Sequence, residues 1–231
     1  MEIIVRACGE RTENECVRLA EKHGRVHVIH ARPFGESIRQ TYKLAQKIDQ
    51  EFIPVVDADV LLFDNTLQSA IHEMRSKNKN IFCLDGTTND KIMMMKRRAG
   101  IHIYRTSLLA RAEKFIDDNH IKPETNTRKQ MIKLGFPTIK SKIIFGLHDH
   151  EQYYADLWRK AVAQTRKLAG MMGNKPEQWK KLMKNDIDFF VVHHAHEYGL
   201  TLDEKIIIDI DKKYDAINQL EKLGIKEKGE L

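Results

Sequence analysis

Two aspartates stand one residue apart at the end of an apolar run, Asp57 and Asp59 in the stretch PVVDADVLLF. In an extended chain, residues i and i+2 point to the same side, roughly 7 Å apart. Both carboxylates are therefore expected to face one small volume. Like charges that close call for a proton or a cation. Carboxylate oxygens are hard ligands suited to Mg²⁺ or Mn²⁺, ions that keep waters and take substrate phosphate oxygens as further ligands. The pair thus predicts a metal site with Mn²⁺ or Mg²⁺ as cofactor and a diphosphate as third party. The plainer alternative is a solvated acidic turn capping the next helix.

A second set of donors lies in GLHDHEQYY, residues 146–154. Neutral imidazole is a common ligand for divalent ions, and His148, at the end of an expected strand, is the candidate. Asp149 reads as the cap of a following helix and His150 as polarity at its start. Arg6, Arg11, Arg39 and Arg105 lie near strand ends or in a helix facing the expected crevice, where guanidinium forks bind phosphates bidentately. Any one of them alone also reads as a surface ion pair.

These residues need elements to position them. EIIVRAC, RVHVIH, FIPVV and NIFCLD read as strands, and RTENECVRLAEKHG, PFGESIRQTYKLAQKIDQ and NTLQSAIHEMRSKN as the helices between them. Thr12 with Glu15 fits a capping box. The alternation indicates βαβ units and a mainly parallel α/β sheet flanked by helices, and ligands of such sheets bind beyond the carboxyl ends of the strands. GTTNDKIMMMKRRAG reads as a polar, basic loop. IHIYRTSLLARAEKFIDD gives a strand and a helix, KPETNTRKQMIKLGF a helix from Pro123 closed by Gly135, and KIIF a strand leading into a helix. From Asp149 onward the signal is almost all helical, ending in LDEKIIIDIDKKYDAINQLEKLG and a tail, KEKGEL, expected to fray. The expected domains are 1–150, carrying the site, and 151–231, a helical C-terminal region.

Composition sets the outer limits. The chain has 231 residues, of which 42% are hydrophobic, and a formal net charge of +6. That suits one large domain with an appendage and favours phosphate-bearing or polyanionic partners. The three cysteines, Cys8, Cys16 and Cys83, support neither a disulfide framework nor a zinc ribbon. No apolar run is long enough to span a bilayer, and the N-terminus reads as a strand rather than a signal peptide. The expectation is a cytoplasmic protein.

Taken together, RACGERTENECVRLA, VHVIHARPFGESIRQTYKLA, FIPVVDADVLL, GIHIYRTSLL and GLHDHEQYY resemble nucleotide-sugar glycosyltransferases of the GT-A (Rossmann-like) type, most of all small bacterial family A members. The resemblance covers roughly residues 1–160. It implies a metal-dependent, hexosyltransferase-like enzyme that moves a sugar from a nucleoside-diphosphate donor to a saccharide or other hydroxyl acceptor. The first strand and its loop would cradle base and ribose, assigning Arg6, Ala7, Gly9, Glu10 and Arg11 to donor binding. Arg39 matches a basic residue near the nucleotide. Asp57 would touch ribose or metal-bound water, Asp59 would be the primary metal ligand, and His148 would complete the metal shell. Inverting members carry an aspartate base in a Glu-Asp pair at a helix start. Here Glu124 stands at that place without the pair, as a candidate base or simply a favourable first-turn charge. A retaining reaction stays open.

Weaker signals point elsewhere. VVHHAHEYG places His193 and Glu197 at i, i+4, either a metal pair or a polar helix end. MMMKRR reads as a mobile basic lid or as adaptable packing. RKLAGMMGNKPEQWKKLMK reads as an ordinary amphipathic stretch or a peripheral contact with an anionic membrane at its inner face. Three rivals remain. A sugar-nucleotide nucleotidyltransferase would carry a Gly-rich phosphate loop after the first strand, where only Gly9 stands. A nucleic-acid-binding module fits the basic balance but lacks a reading motif or stacking platform, so no nucleic acid is expected. A non-catalytic adaptor on the same scaffold is the third.

Overall fold

A computed structural model describes residues 1–120, 122–168, 172–203 and 214–231. Of the expected C-terminal helix LDEKIIIDIDKKYDAINQLEKLG, residues 204–213 lie outside these, as do residues 169–171 of RKLAGMMG. The chain divides into two compact units, Met1–His150 and Glu151–Leu231.

The first unit is an α/β layer structure. Its strands are β1 (Glu2–Ala7), β2 (Arg25–His30), β3 (Phe52–Asp57), β4 (Val60–Leu62), β5 (Cys83–Asp90), β6 (Met95–Arg105) and β7 (Thr138–His148). They form one sheet in the order β2-β1-β3-β6-β5-β7-β4. Strands β1, β2, β3, β5 and β7 run one way, and β4 and β6 run against them. The sheet is therefore mixed and mainly parallel, as its βαβ pattern predicts. The helices are α1 (Glu13–Glu21), α2 (Phe34–Ala45), α3 (Thr66–Arg75), α4 (Leu109–Glu113) and α5 (Pro123–Lys133).

Period-2 alternation sends each strand's side chains to two cores. Ile3, Val5 and Val56 join Cys16, Ala20, Leu67 and Met74 on one face. Ile4, Ile53 and Val55 join Ile38, Tyr42, Phe82, Tyr104 and Met131 on the other. Arg6, Asp57 and His102 continue the second set by the same alternation, so polar groups replace apolar ones where that face reaches the strand ends.

Two local expectations are corrected. Residues 86–100 are not a loop: Gly86–Asp90 extends β5, and Met95–Gly100 begins β6, with a tight turn at Lys91–Met94. Antiparallel pairing from Thr87↔Arg98 to Asp90↔Met95 satisfies this polar backbone, so MMMKRR belongs to a β-hairpin. Thr12 makes no capping bond to α1. Its hydroxyl donates instead to Ala58 O at 2.8 Å.

The second unit contains α6 (Tyr154–Lys167), α7 (Lys175–Leu182), α8 (Ile187–Thr201) and α9 (Ala216–Lys222). Gly199 lets α8 approach α6, since a Cβ there would lie 3.3 Å from Val162 Cα. Trp158 Nε1 donates to Tyr214 O at 3.0 Å. The tail is tied down rather than frayed. Glu227 accepts from the backbone N–H of Tyr154 (2.6 Å) and Ala155 (2.9 Å), supplying two donors of the α6 start with an acceptor. Lys228 Nζ lies 2.6 Å from Asp188. Among the described residues, no helix is long and apolar enough to cross a membrane.

Candidate functional site

The chain reverses immediately after β3. Ala58 N–H donates to Arg6 O at 2.9 Å, and Thr12 Oγ closes on Ala58 O from the start of α1. Strand β4 then runs antiparallel to β7, with Val60 opposite His148. Asp149 N–H donates to Asp59 O at 3.2 Å. This short antiparallel pair brings the end of the Asp-Ala-Asp turn to the end of β7, 89 residues further along the chain at His148.

There Asp59, His148 and Asp149 each offer a ligand atom, all within 4.8 Å of one another. His148 Nε2 lies 3.6 Å from Asp59 Oδ1. His148 Nδ1 lies 3.0 Å from Asp149 Oδ2 and 2.9 Å from Asp90 Oδ2. Burial opposes charge on this imidazole, yet the carboxylates of Asp149, Asp59 and Asp90 push its pKa well above the ordinary histidine value. Two carboxylates with one imidazole form a donor set suited to Mn²⁺ and, with more oxygen ligands from water, to Mg²⁺. The residues present therefore fit the ion expected from the sequence. Among the described residues, no other group of three such side chains converges in this way, and His193 with Glu197 stands as an intrahelical contact at 3.4 Å.

Gly100 makes the convergence possible. Its φ is +70°, and a Cβ there would fall 2.5 Å from Val60 Cγ2 and 3.2 Å from His148 Cδ2. Only glycine both adopts that backbone and leaves the space.

Asp57 ends β3, outside the converging group of Asp59, His148 and Asp149. The turn at Ala58 and Asp59 follows it directly, and Asp59 stays near enough to act on its charge. Arg6, its register partner on β1, takes its charge instead: Nη2 lies 2.7 Å from Asp57 Oδ1 and Nε donates at 2.8 Å. The Asp57 side chain is 27% exposed, so one face stays open to solvent. Burial, Asp59 and Glu124 push its carboxyl up, against the pull of Arg6.

Arg6 is itself buried and saturated. Its Nη1 donates to Glu124 Oε1 at 2.8 Å, and its guanidinium stacks 5.1 Å from the Phe34 ring centre. Glu124 also accepts from Tyr104 Oη at 2.7 Å and meets His102 Nε2 at 2.9 Å. Burial would raise the Glu124 pKa, but Arg6 and His102 hold it well below the carboxylate range. A carboxylate so held is a weak base. Arg6 and Glu124 thus form a buried charge network behind Asp57, not a phosphate clamp and an exposed base.

The loop after β1 stays at the strand end named by the sequence. Ala7 closes the strand, Gly9 turns with φ +89°, and Glu10 accepts the Cys8 N–H at 2.6 Å. Arg11 follows, half-buried. Arg39, on α2, pairs with Asp118 at 2.6 Å. Arg105 sits opposite Phe52 at the far end of β3, bound to Glu51 at 2.5 Å and to Ile81 O at 3.1 Å, so the sheet holds it away from the site.

Asp149 and Asp90 escaped the sequence reading. Asp149 is no helix cap: α6 begins at Tyr154, and Asp149 has φ +60°. Its position between two histidines was the one available signal. Asp90 lay in what read as loop, and nothing local marks it.

No family model matches this sequence, and no curated protein does. Solved structures do. A mannosyltransferase from Pyrobaculum calidifontis, determined with GDP-Man and Mn²⁺, superposes with TM-score 0.52 at 11% identity, over 97% of this chain and 76% of that one. The fold is that of the nucleotide-sugar transferases. Weaker superpositions include a glycosyltransferase involved in glycosylating the major capsid of PBCV-1 (TM-score 0.42, 10% identity, 64% of this chain and 92% of that one). Another is a putative nucleotide-diphospho-sugar transferase from Desulfovibrio desulfuricans (TM-score 0.41, 7% identity, 88% and 99%).

Proposed function

We propose that the protein is a glycosyltransferase that moves a sugar from a nucleoside-diphosphate donor to an acceptor hydroxyl, with a divalent ion held by Asp59, His148 and Asp149. The observation that carries this reading is the convergence of those three donors at the carboxyl end of a sheet of nucleotide-sugar transferase fold. The Mn²⁺-bound mannosyltransferase of the same fold lends it support.

The bound ion would neutralise the diphosphate as it leaves. Asp59, His148 and Asp149 would hold it. The loop of Ala7, Gly9, Glu10 and Arg11 receives the base and ribose beside it. Asp57, oriented by Arg6, turns its open face to the donor and meets the ribose hydroxyls. Arg6 and Glu124 keep that carboxylate in place and do not touch the donor.

A donor screen tests the reading. UDP-, GDP- and CDP-sugars are incubated with Mn²⁺, and release of the nucleoside diphosphate is followed. Release that disappears in Asp59→Asn supports sugar transfer. Pyrophosphate produced from a nucleoside triphosphate and a sugar phosphate instead would make the protein a nucleotidyltransferase.

A further inference from the structure

Asp90 has an unusual position for an acidic residue. It ends β5, its side chain is fully buried, and it faces His148 across the β5–β7 pairing, where the two are register partners. Its two oxygens are divided between separate tasks. Oδ1 accepts the Met93 N–H at 2.7 Å, which closes the hairpin turn. Oδ2 lies 2.9 Å from His148 Nδ1 and 3.2 Å from Arg97 Nη1. The backbone repeats the link, since Lys91 N–H donates to His148 O at 3.0 Å.

We propose that Asp90 is the positioning residue of the metal site, fixing the His148 ring so that Nδ1 carries the proton and Nε2 is presented on the Asp59 side. The proposal rests on the metal reading given above and adds to it a residue that would not itself touch the ion. A histidine bonded through one nitrogen to a buried carboxylate has its ring orientation and tautomer set, and the other nitrogen becomes the better ligand. Asp149 Oδ2 is also near Nδ1, at 3.0 Å. Asp149 can offer its carboxylate to the ion, however, whereas Asp90 is enclosed by the hairpin. Asp90 therefore remains as the anchor of the ring. It also ties the ligand to the β5–β6 hairpin, through Met93 and Arg97.

Asparagine is the discriminating replacement. A carboxylate accepts on both oxygens, but an amide accepts on one and donates from the other. In Asp90→Asn, one of the two tasks is lost. If the amide oxygen stays on Met93 N–H, its NH₂ confronts Nδ1 and favours the tautomer with Nε2 protonated, which cannot ligate. Mn²⁺ affinity is measured by calorimetry, and ligation by the modulation that an imidazole ¹⁴N imposes on the electron spin echo of bound Mn²⁺. The wild type should bind Mn²⁺ and show the nitrogen coupling. Asp90→Asn, and Asp90→Ser as a smaller neutral variant, should bind about 10–100-fold more weakly with the coupling reduced or lost. Asp90→Glu, which keeps the charge, should recover part of both. The unfolding midpoint of each variant separates a lost fold from a misplaced ring. Wild-type protein that takes up no Mn²⁺ overturns the metal reading and this inference with it. Wild-type protein that binds Mn²⁺, with folded neutral variants matching its affinity and coupling, overturns this inference alone.

Discussion

Arg6 and Asp57 are register partners on adjacent parallel strands, and their charged groups meet at 2.7 Å. The guanidinium is buried and reaches Glu124 with its other edge. The first acid of the Asp-Ala-Asp turn is thus answered by the protein itself, and the second, Asp59, stands with His148 and Asp149. Loss of Arg6 should therefore tell first on stability, and loss of Asp59 first on metal binding.

Replacing Arg6 removes the cationic partner of the half-buried Asp57 and one of the partners of the buried Glu124. Removing one partner of a buried pair costs about 3–5 kcal/mol, and the partial exposure of Asp57 places Arg6→Met near the lower figure. Urea unfolding followed by circular dichroism measures it. A loss under about 1 kcal/mol, the range of exposed pairs, would show that the network contributes little.

The same network sets a pH profile. Glu124 is held well below its ordinary pKa, so its contribution is present above about pH 4.3 and is lost as pH falls through the lower folded value. His102 is the opposite case. Burial would lower its pKa, but Glu124 and Asp85 raise it well above the usual value despite Arg128 nearby. Its contribution is full below about pH 6.5 and is lost as pH rises through the folded value. Stability should therefore fall on both flanks, and Glu124→Gln should lower the plateau and flatten both. If Glu124 were instead a catalytic base, the Gln variant would lose turnover with its unfolding curve unchanged.

Gly100→Ala should damage the site by geometry alone. It places a methyl 2.5 Å from Val60 and 3.2 Å from His148 on a backbone with φ +70°. The left-handed conformation costs an L-residue about 1–2 kcal/mol before any clash. A lower melting temperature together with weakened Mn²⁺ binding is expected. An unchanged Mn²⁺ affinity would mean that His148 does not depend on this contact.

Glu227→Ala should loosen the helical unit and leave the α/β unit unaffected. The lost acceptor for Tyr154 and Ala155 N–H resembles the loss of a helix cap, about 1 kcal/mol. Both tryptophans of the chain, Trp158 and Trp179, lie in that unit, so their fluorescence reports it selectively. An unshifted fluorescence transition would return the tail to a frayed end.

Much of the architecture was legible because it is periodic. Short apolar runs in EIIVRA and FIPVV, with helical spacing between them, indicated the βαβ order. The hairpin of β5 and β6 was not, because TTND and KRRA are polar and their strand character comes from pairing, not from apolar alternation. Asp59 and His148 were legible by type and strand-end position. Asp57 was legible as a strand-end acid, but its pairing with Arg6 was not, because the two meet only through the β1–β3 register. Asp90 and the role of Glu124 depend on contacts between residues far apart in the chain, such as Asp90 with His148 and Arg6 with Glu124, and no local signal encodes those.

Calorimetric titration of UDP, GDP and CDP into the protein, with and without Mn²⁺, tests the metal-dependent reading most directly. At least one diphosphate should bind only with Mn²⁺, and Asp59→Asn should abolish that binding while leaving the unfolding midpoint close to wild type. Binding that ignores both Mn²⁺ and the Asp59 substitution, or no binding of any of the three, would contradict a metal-dependent nucleotide-sugar transferase.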